Sequence, residues 1–210
     1  MRKLFITIVL SVVLFNSEAL AENFVGKILY KNSFTDLKGN DITSRLAPVL
    51  GLEQHYFTDG ENYKALDEKN NWLQLFLGKS NSYYFFSANK SAQKIDVSAI
   101  SPQKIKIIKL DQTEKIAGYN CNLLQVEKED STTIYYYSSS VKIDPKLFAN
   151  HYLGEWNQYL EASEGALALK FVIANHKAKY IWQAVATQVT KLKLTRKDFE
   201  FPGEYKLTNK

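Results

Sequence analysis

The stretch YIWQAVATQVTKLKL, residues 180–194, decides how this chain folds. No glycine, proline, asparagine or aspartate interrupts it. Tyr180, Trp182, Ala184, Ala186, Leu192 and Leu194 share one parity, while Ile181, Val185 and Val189 share the other. Alternation with a period of two is the mark of a strand. Strands usually stop after about five or six residues. One this long, apolar on both faces at its start, belongs to a strongly curved sheet, covered on one side and lining a cavity on the other.

Outward from that strand the same alternation recurs. Phe24, Gly26, Ile28, Tyr30 and Phe34 fall on one parity, against Lys27, Lys31 and Ser33 on the other. Residues 104–110 repeat it, with Ile105 and Ile107 facing away from Lys104 and Lys106. Further strands are expected at 55–58, 63–67, 72–77, 83–87, 121–128, 132–137 and 166–174. Turn-formers separate them, among them Asp59-Gly60, Asn175-His176 and the polar run 129–131. Short strands at regular spacing predict an antiparallel meander in a mainly β fold.

Helical signal is confined to two places. Asp144-Pro145 is a good helix start, with aspartate as N-cap and proline at the first helical position. Phe148, Tyr152, Trp156 and Tyr159 or Leu160 follow at spacings of three or four and make one apolar stripe. Gly165 is a natural stop, and Gly154 marks a point where the helix breaks, since glycine costs a helix about 1 kcal/mol against alanine. Residues 42–50 form a weaker helix, because Pro48 disfavours its last turn.

The first residues read as an address. Arg2 and Lys3 precede a twelve-residue apolar stretch, and Ala19-Leu20-Ala21 is a small-x-small cleavage site, so residues 1–21 are expected to be a cleavable signal peptide. The apolar run is shorter than the roughly 20 residues a spanning helix needs. Residues 22–210 are then expected to be a single β-rich domain with no membrane span. Loss of Arg2, Lys3 and Glu18 takes the formal charge from +5 to +4. The lysines are scattered among acids instead of clustered on one segment, which argues against nucleic acid as a partner. Cys121 is the one cysteine, so no internal disulfide holds the fold. It is a buried small hydrophobe, an intermolecular partner or a reactive thiol, the first being favoured by its apolar neighbours.

The usual catalytic patterns, G-x-S-x-G, H-E-x-x-H, the phosphate-binding loop and G-x-G-x-x-G, do not occur. His55, His151 and His176 are far apart in sequence, and each is expected to be a surface or partly buried side chain. No catalytic residue, metal ligand or cofactor is expected, and the chain reads as a protein that is not an enzyme. The informative residues are aromatic. Tyr83-Tyr84-Phe85-Phe86 and Tyr135-Tyr136-Tyr137 put rings on both faces of their strands. One face fills a core. The other packs under a helix or lines a groove. The candidate ligand-binding residues are therefore Tyr84, Phe86, Tyr135, Tyr137, Phe148, Tyr152, Trp156 and Trp182.

Three segments carry a family resemblance. Glu114-Lys115-Ile116-Ala117-Gly118-Tyr119-Asn120-Cys121 resembles the T-K-x-I-A-G-Y-x-C segment of a GLPGLI-like family of exported bacterial proteins. A Tyr-rich strand and a Val141–Pro145 helix start follow in that family's order, and Phe201-Pro202-Gly203-Glu204-Tyr205-Lys206 is similar to its chain end. That family in turn resembles the outer-membrane lipoprotein carrier superfamily. The resemblance implies a curved antiparallel half-barrel with a helical lid, and an apolar hollow that holds acyl chains in the carriers. It carries over neither a cavity arginine nor the carriers' loop motifs.

Together these readings predict an exported, periplasmic protein that binds or carries a lipid or other hydrophobic ligand. The alternative is a ligand-free envelope scaffold or protein-interaction module. Burying a sixteen-carbon chain would release on the order of 12 kcal/mol before association costs.

Overall fold

A computed structural model describes residues 23–100 and 102–208. The expected signal peptide, residues 1–21, lies outside them. Two meanders make up the fold. The first runs β1 (Gly26–Asp36), β2 (Glu53–Thr58), β3 (Tyr63–Leu66), β4 (Trp72–Leu77), β5 (Ser82–Ser87) and β6 (Ser91–Asp96). The second runs β7 (Lys106–Ile116), β8 (Tyr119–Glu127), β9 (Ser131–Lys142), β10 (Ala166–Asn175) and β11 (Tyr180–Lys191). Antiparallel pairing of β11 with β1 joins them, and β12 (Lys206–Thr208) adds in parallel to β6. The result is one 12-stranded open sheet in the order β12-β6-β5-β4-β3-β2-β1-β11-β10-β9-β8-β7. It curls into a half-barrel, since Tyr56 and Phe76 of the first meander share one buried cluster with Leu124 and Leu167 of the second.

The alternation in β1 is read correctly from the sequence: Phe24, Gly26, Ile28, Tyr30 and Phe34 are all buried. The long strand behaves differently. Its pairing with β1 slips between Leu29 and Tyr30, where Thr187 is the extra residue of a β-bulge. Before the bulge Trp182, Ala184 and Ala186 face inward, opposite Phe34, Asn32 and Tyr30. Beyond it Val189 opposes inward-facing Ile28, and Leu194 packs in a cluster on the outer face. Leu192 and Leu194 therefore do not share the face of Trp182. A bulge inserts one residue and reverses the parity of all that follows.

The motifs behind the family resemblance prove to be framework. Ala117 (φ 48°) and Gly118 (φ 89°) are both left-handed between β7 and β8, as a two-residue type I′ hairpin requires. Asp144 caps a 3₁₀ turn at Pro145–Phe148 by accepting the Lys146 amide at 3.0 Å. Phe201 and Tyr205 lie over the outer face of β5, 5.1 Å from Tyr84 and 4.8 Å from Phe86 between ring centres.

Helix α1 (Thr43–Leu50) connects β1 to β2, contains Pro48 and buries none of its side chains. The aromatic stripe after Pro145 is not one helix. A second 3₁₀ turn spans Leu153–Glu155, and α2 (Trp156–Ala162) begins only after two left-handed residues, Gly154 (φ 65°) and Glu155 (φ 56°). The break falls at the glycine. Past α2, Gly165 has φ 83°, and a side chain there would run into the Ile143 carbonyl. Helix α2 lies across the concave face as a lid. Tyr159 and Leu160 are fully buried, and the Tyr159 hydroxyl donates to the Ala166 carbonyl at 2.8 Å.

A second, smaller core sits on the outer face, where Leu75, Phe86 and Ala92 are covered by Phe199 and Tyr205. The segment that covers them is fixed by a capping box in which Thr195 and Asp198 satisfy each other's backbone amides. Cys121 is fully buried in the main core, and burial pushes its thiol pKa up.

Candidate functional site

Between the lid and the concave face lies a cavity of about 280 Å³. Tyr30, Tyr56, Tyr63 and Tyr83 line it from the first meander. Tyr135, Phe171 and Trp182 do so from the second, and His151, Leu153, Gly154 and Trp156 from the lid. Tyr63 is the hub. Its ring centre lies 5.5 Å from Tyr56, 5.8 Å from His151 and 6.2 Å from Trp156. These separations fall in the range where aromatic pairs attract beyond their buried area.

Among the described residues no charged side chain lines the cavity; its polar groups are hydroxyls, the Gln54 and Gln74 amides, one imidazole and two indoles. Burial pushes the phenols of Tyr30, Tyr56, Tyr63, Tyr83 and Tyr135 well above their ordinary range. His151 is 1 % exposed, and burial lowers its imidazole to about 4, with the backbone at His151 and Leu153 pulling slightly the other way. The lining is therefore neutral at physiological pH. An ion pair stands beside it: Lys128 meets Glu155 at 3.0 Å, tying the β8–β9 turn to the lid.

Most of the polar tips are satisfied within the protein. Tyr30 donates to the Ala168 carbonyl at 2.6 Å, Tyr83 to Gln74 Oε1 at 2.8 Å, and Trp182 Nε1 to Asn32 Oδ1 at 3.0 Å. Tyr63 and His151 Nε2 share a 2.7 Å bond. Three lining atoms are buried without a partner among the described residues: the Tyr56 hydroxyl, His151 Nδ1 and Trp156 Nε1. Buried polar atoms are paired in the great majority of cases. None of the three is open to a water molecule, so what marks the cavity as a place for something to bind is its volume and its aromatic walls.

Of the eight residues expected to touch ligand, Tyr135, Trp156 and Trp182 line this cavity. Phe148 is fully buried behind it, its ring 5.5 Å from Phe76. Tyr152 is half-buried just before the Leu153–Glu155 turn and lies outside the lining. Tyr137 belongs to the main core and borders a different, polar depression beside Lys109 and Glu164. Tyr84 and Phe86 are on the outer face, under Phe201 and Tyr205. The reason is parity: Tyr83 points inward, so its neighbour Tyr84 cannot. Sequence reasoning passed over Tyr56, Tyr63 and His151, the last expected only as a surface or partly buried side chain, whereas it is fully buried. The available signal was its position three residues after Phe148, on the lid's apolar stripe.

Among the described residues no group of histidine, cysteine and carboxylate side chains is arranged to hold a metal, and no helix is long and apolar enough to cross a membrane. No family model matches the chain, and no curated protein matches it in sequence. Solved structures do share its fold. PNGF-II aligns over 89% of this chain and 32% of its own length, at a TM-score of 0.52 and 21% identity. A second crystal form of PNGF-II gives a TM-score of 0.51, also at 21% identity, over 31% of its length. The chain thus spans about a third of that protein, and the likeness is one of fold. The LolA superfamily protein NE2245 from Nitrosomonas europaea aligns over 85% of this chain and 91% of its own, at a TM-score of 0.37 and 10% identity.

Proposed function

We propose that this protein binds a small, uncharged, hydrophobic ligand in the cavity under its lid, and that it does so as an exported, periplasmic binding or carrier protein. The observation that carries the reading is the cavity itself: about 280 Å³, walled by aromatic rings and lined by no charged side chain among the described residues. Ligand pockets are typically about 300–1,000 Å³ and mostly apolar with a few placed polar groups, so this one is at the small end. At roughly 30 Å³ per heavy atom, the share of a liquid water, it holds a molecule of about ten heavy atoms. A whole sixteen-carbon chain is too large for it. Binding is proposed in preference to catalysis because the lining phenols and imidazole titrate far from neutrality, where general acids and bases work best.

Ten heavy atoms at about 0.6 kcal/mol each give a Kd on the order of tens of micromolar. Butylbenzene has the right size and no polar group. Titrated into the protein, it should saturate a single site, seen by the fluorescence of Trp156 and Trp182 and by a rise in melting temperature. Ala168→Leu, which grows a side chain into the cavity, should abolish uptake. Absence of any saturable binding to the native protein overturns the proposal in favour of a ligand-free scaffold.

A further inference from the structure

The lid is held unevenly, and its loosest part borders the cavity. It is anchored at His151, which shares a 2.7 Å bond with Tyr63, and at Asn150, whose carbonyl accepts from Asn81 Nδ2 at 2.9 Å. Past Trp156 it is anchored again by Tyr159, whose hydroxyl donates to the Ala166 carbonyl at 2.8 Å. Between these anchors lies the lid's tip, Leu153–Glu155. Among the described residues its backbone bonds stay within the lid, as from the Glu155 amide to the Tyr152 carbonyl at 3.1 Å. One polar contact joins the tip to the sheet, the 3.0 Å ion pair of Glu155 with Lys128.

The tip is also free to move apart from the rest of the lid. Gly154 and Glu155 are left-handed, with φ 65° and 56°, which separates the turn from α2. Such a backbone is uncommon in a residue with a side chain and persists where the surroundings hold it. For Glu155 the Lys128 contact does the holding. Gly154 lines the cavity yet is exposed, and a side chain begun there would meet no atom within 4 Å. The tip is a thin wall with the cavity on one face and solvent on the other.

We infer that the Lys128–Glu155 pair sets the length of ligand the cavity accepts. Paired, it holds the tip down and confines the space to about ten heavy atoms. Unpaired, the tip swings outward and the space beneath it lengthens. This rests on the proposed function and adds a specificity to it. The pair is largely desolvated, the Lys128 and Glu155 side chains being 21% and 9% exposed. A charge left alone in such a place is costly. Without Lys128 the Glu155 carboxylate turns out to water and takes the tip with it; without the carboxylate nothing fastens the tip.

The test follows 1-nonanol, 1-decanol and 1-undecanol, of ten to twelve heavy atoms, by the fluorescence of Trp156 and Trp182 in native protein, Lys128→Met and Glu155→Gln. A CH₂ group that is fully buried on binding tightens it about fourfold. In native protein 1-nonanol fills the space, so 1-undecanol should bind within about twofold of it. In each variant 1-undecanol should bind about tenfold more tightly than 1-nonanol. That gain is a ratio within one protein, so a general loss of stability does not move it. Lys106→Met, which breaks the exposed 3.3 Å pair with Glu127, should give the native series. A gain that continues in native protein, or one that appears in Lys106→Met, overturns the inference. So does a native series in both variants while butylbenzene still binds, and the cavity then stands as a site. If butylbenzene does not bind native protein, the site reading falls and this inference with it. Should Lys128→Met fail to fold, Glu155→Gln, which leaves no lone buried anion, decides.

Discussion

Both faces of the first meander carry aromatic rings, and they do opposite things. On the outer face Trp72, Tyr84 and Phe86 are covered by Phe199, Phe201 and Tyr205, and lysines complete the packing. Lys64 sits over Phe57, Trp72 and Phe199, and Lys90 over the Tyr205 ring, where it also bonds the hydroxyl at 3.2 Å. On the inner face Tyr56 and Tyr63 border about 280 Å³ of open space, and polar atoms go without partners. Aromatic content does not identify a binding site. Incomplete packing does.

The largest effect that would break this contrast is on the outer face. Phe199→Ala removes a ring that is 1 % exposed and should cost about 3–5 kcal/mol in urea denaturation, while the affinity for butylbenzene stays as it was. A loss of binding in that variant would show that the covering segment and the cavity are one unit.

Next in size is a pH effect from the inner face. The imidazole of His151 is held at about 4, against an ordinary 6.5, by burial. The unfolded chain therefore takes up a proton that the folded chain refuses. Stability from this group is complete above about pH 6.5 and is lost as the pH falls through 4, on the order of 3 kcal/mol in all. Measured against native protein, His151→Phe should flatten the fall in stability between those pH values. The same slope in both proteins would assign it to carboxylates.

The smallest effect is the sharpest. Tyr56→Phe deletes a buried hydroxyl that bonds nothing, so the ligand-free protein should melt within about 1 °C of native or slightly above it. On the outer face the equivalent change, Tyr205→Phe, takes away a bonded hydroxyl and should lower the melting temperature. If Tyr56→Phe is the more damaging of the two, its hydroxyl has a structural partner and the contrast between the faces fails.

The architecture was legible in the sequence because period-two burial is a local property. Phe24 to Phe34 needed only their own alternation to be placed. Leu192 and Leu194 were misassigned because the Thr187 bulge is set by pairing with β1, more than 150 residues away. The site was less legible for a related reason. Tyr83 and Tyr84 are chemically alike, and which of them faces the cavity depends on the register of β5 against β4. His151 gave no signal beyond its place three residues after Phe148, and a histidine in an apolar stripe looks the same whether it is buried or exposed. The motifs that carry the family resemblance are hairpin, cap and covering segment. They report the framework and leave the cavity's chemistry to residues elsewhere.

The seam between β1 and β11 also governs the order in which the molecule assembles. Thr187 bonds the Leu29 carbonyl across 158 positions of chain, while most hairpins of each meander close over a few residues. Contacts so distant in sequence make for slow folding. At about 5–20 residues per second of synthesis, β1 waits roughly 8–30 seconds for its partner to be made. Over that time its β11-facing edge is a row of unsatisfied backbone groups beside an apolar face, open to pairing with another copy. Newly made protein is most vulnerable to aggregation in the interval before its last long strand arrives.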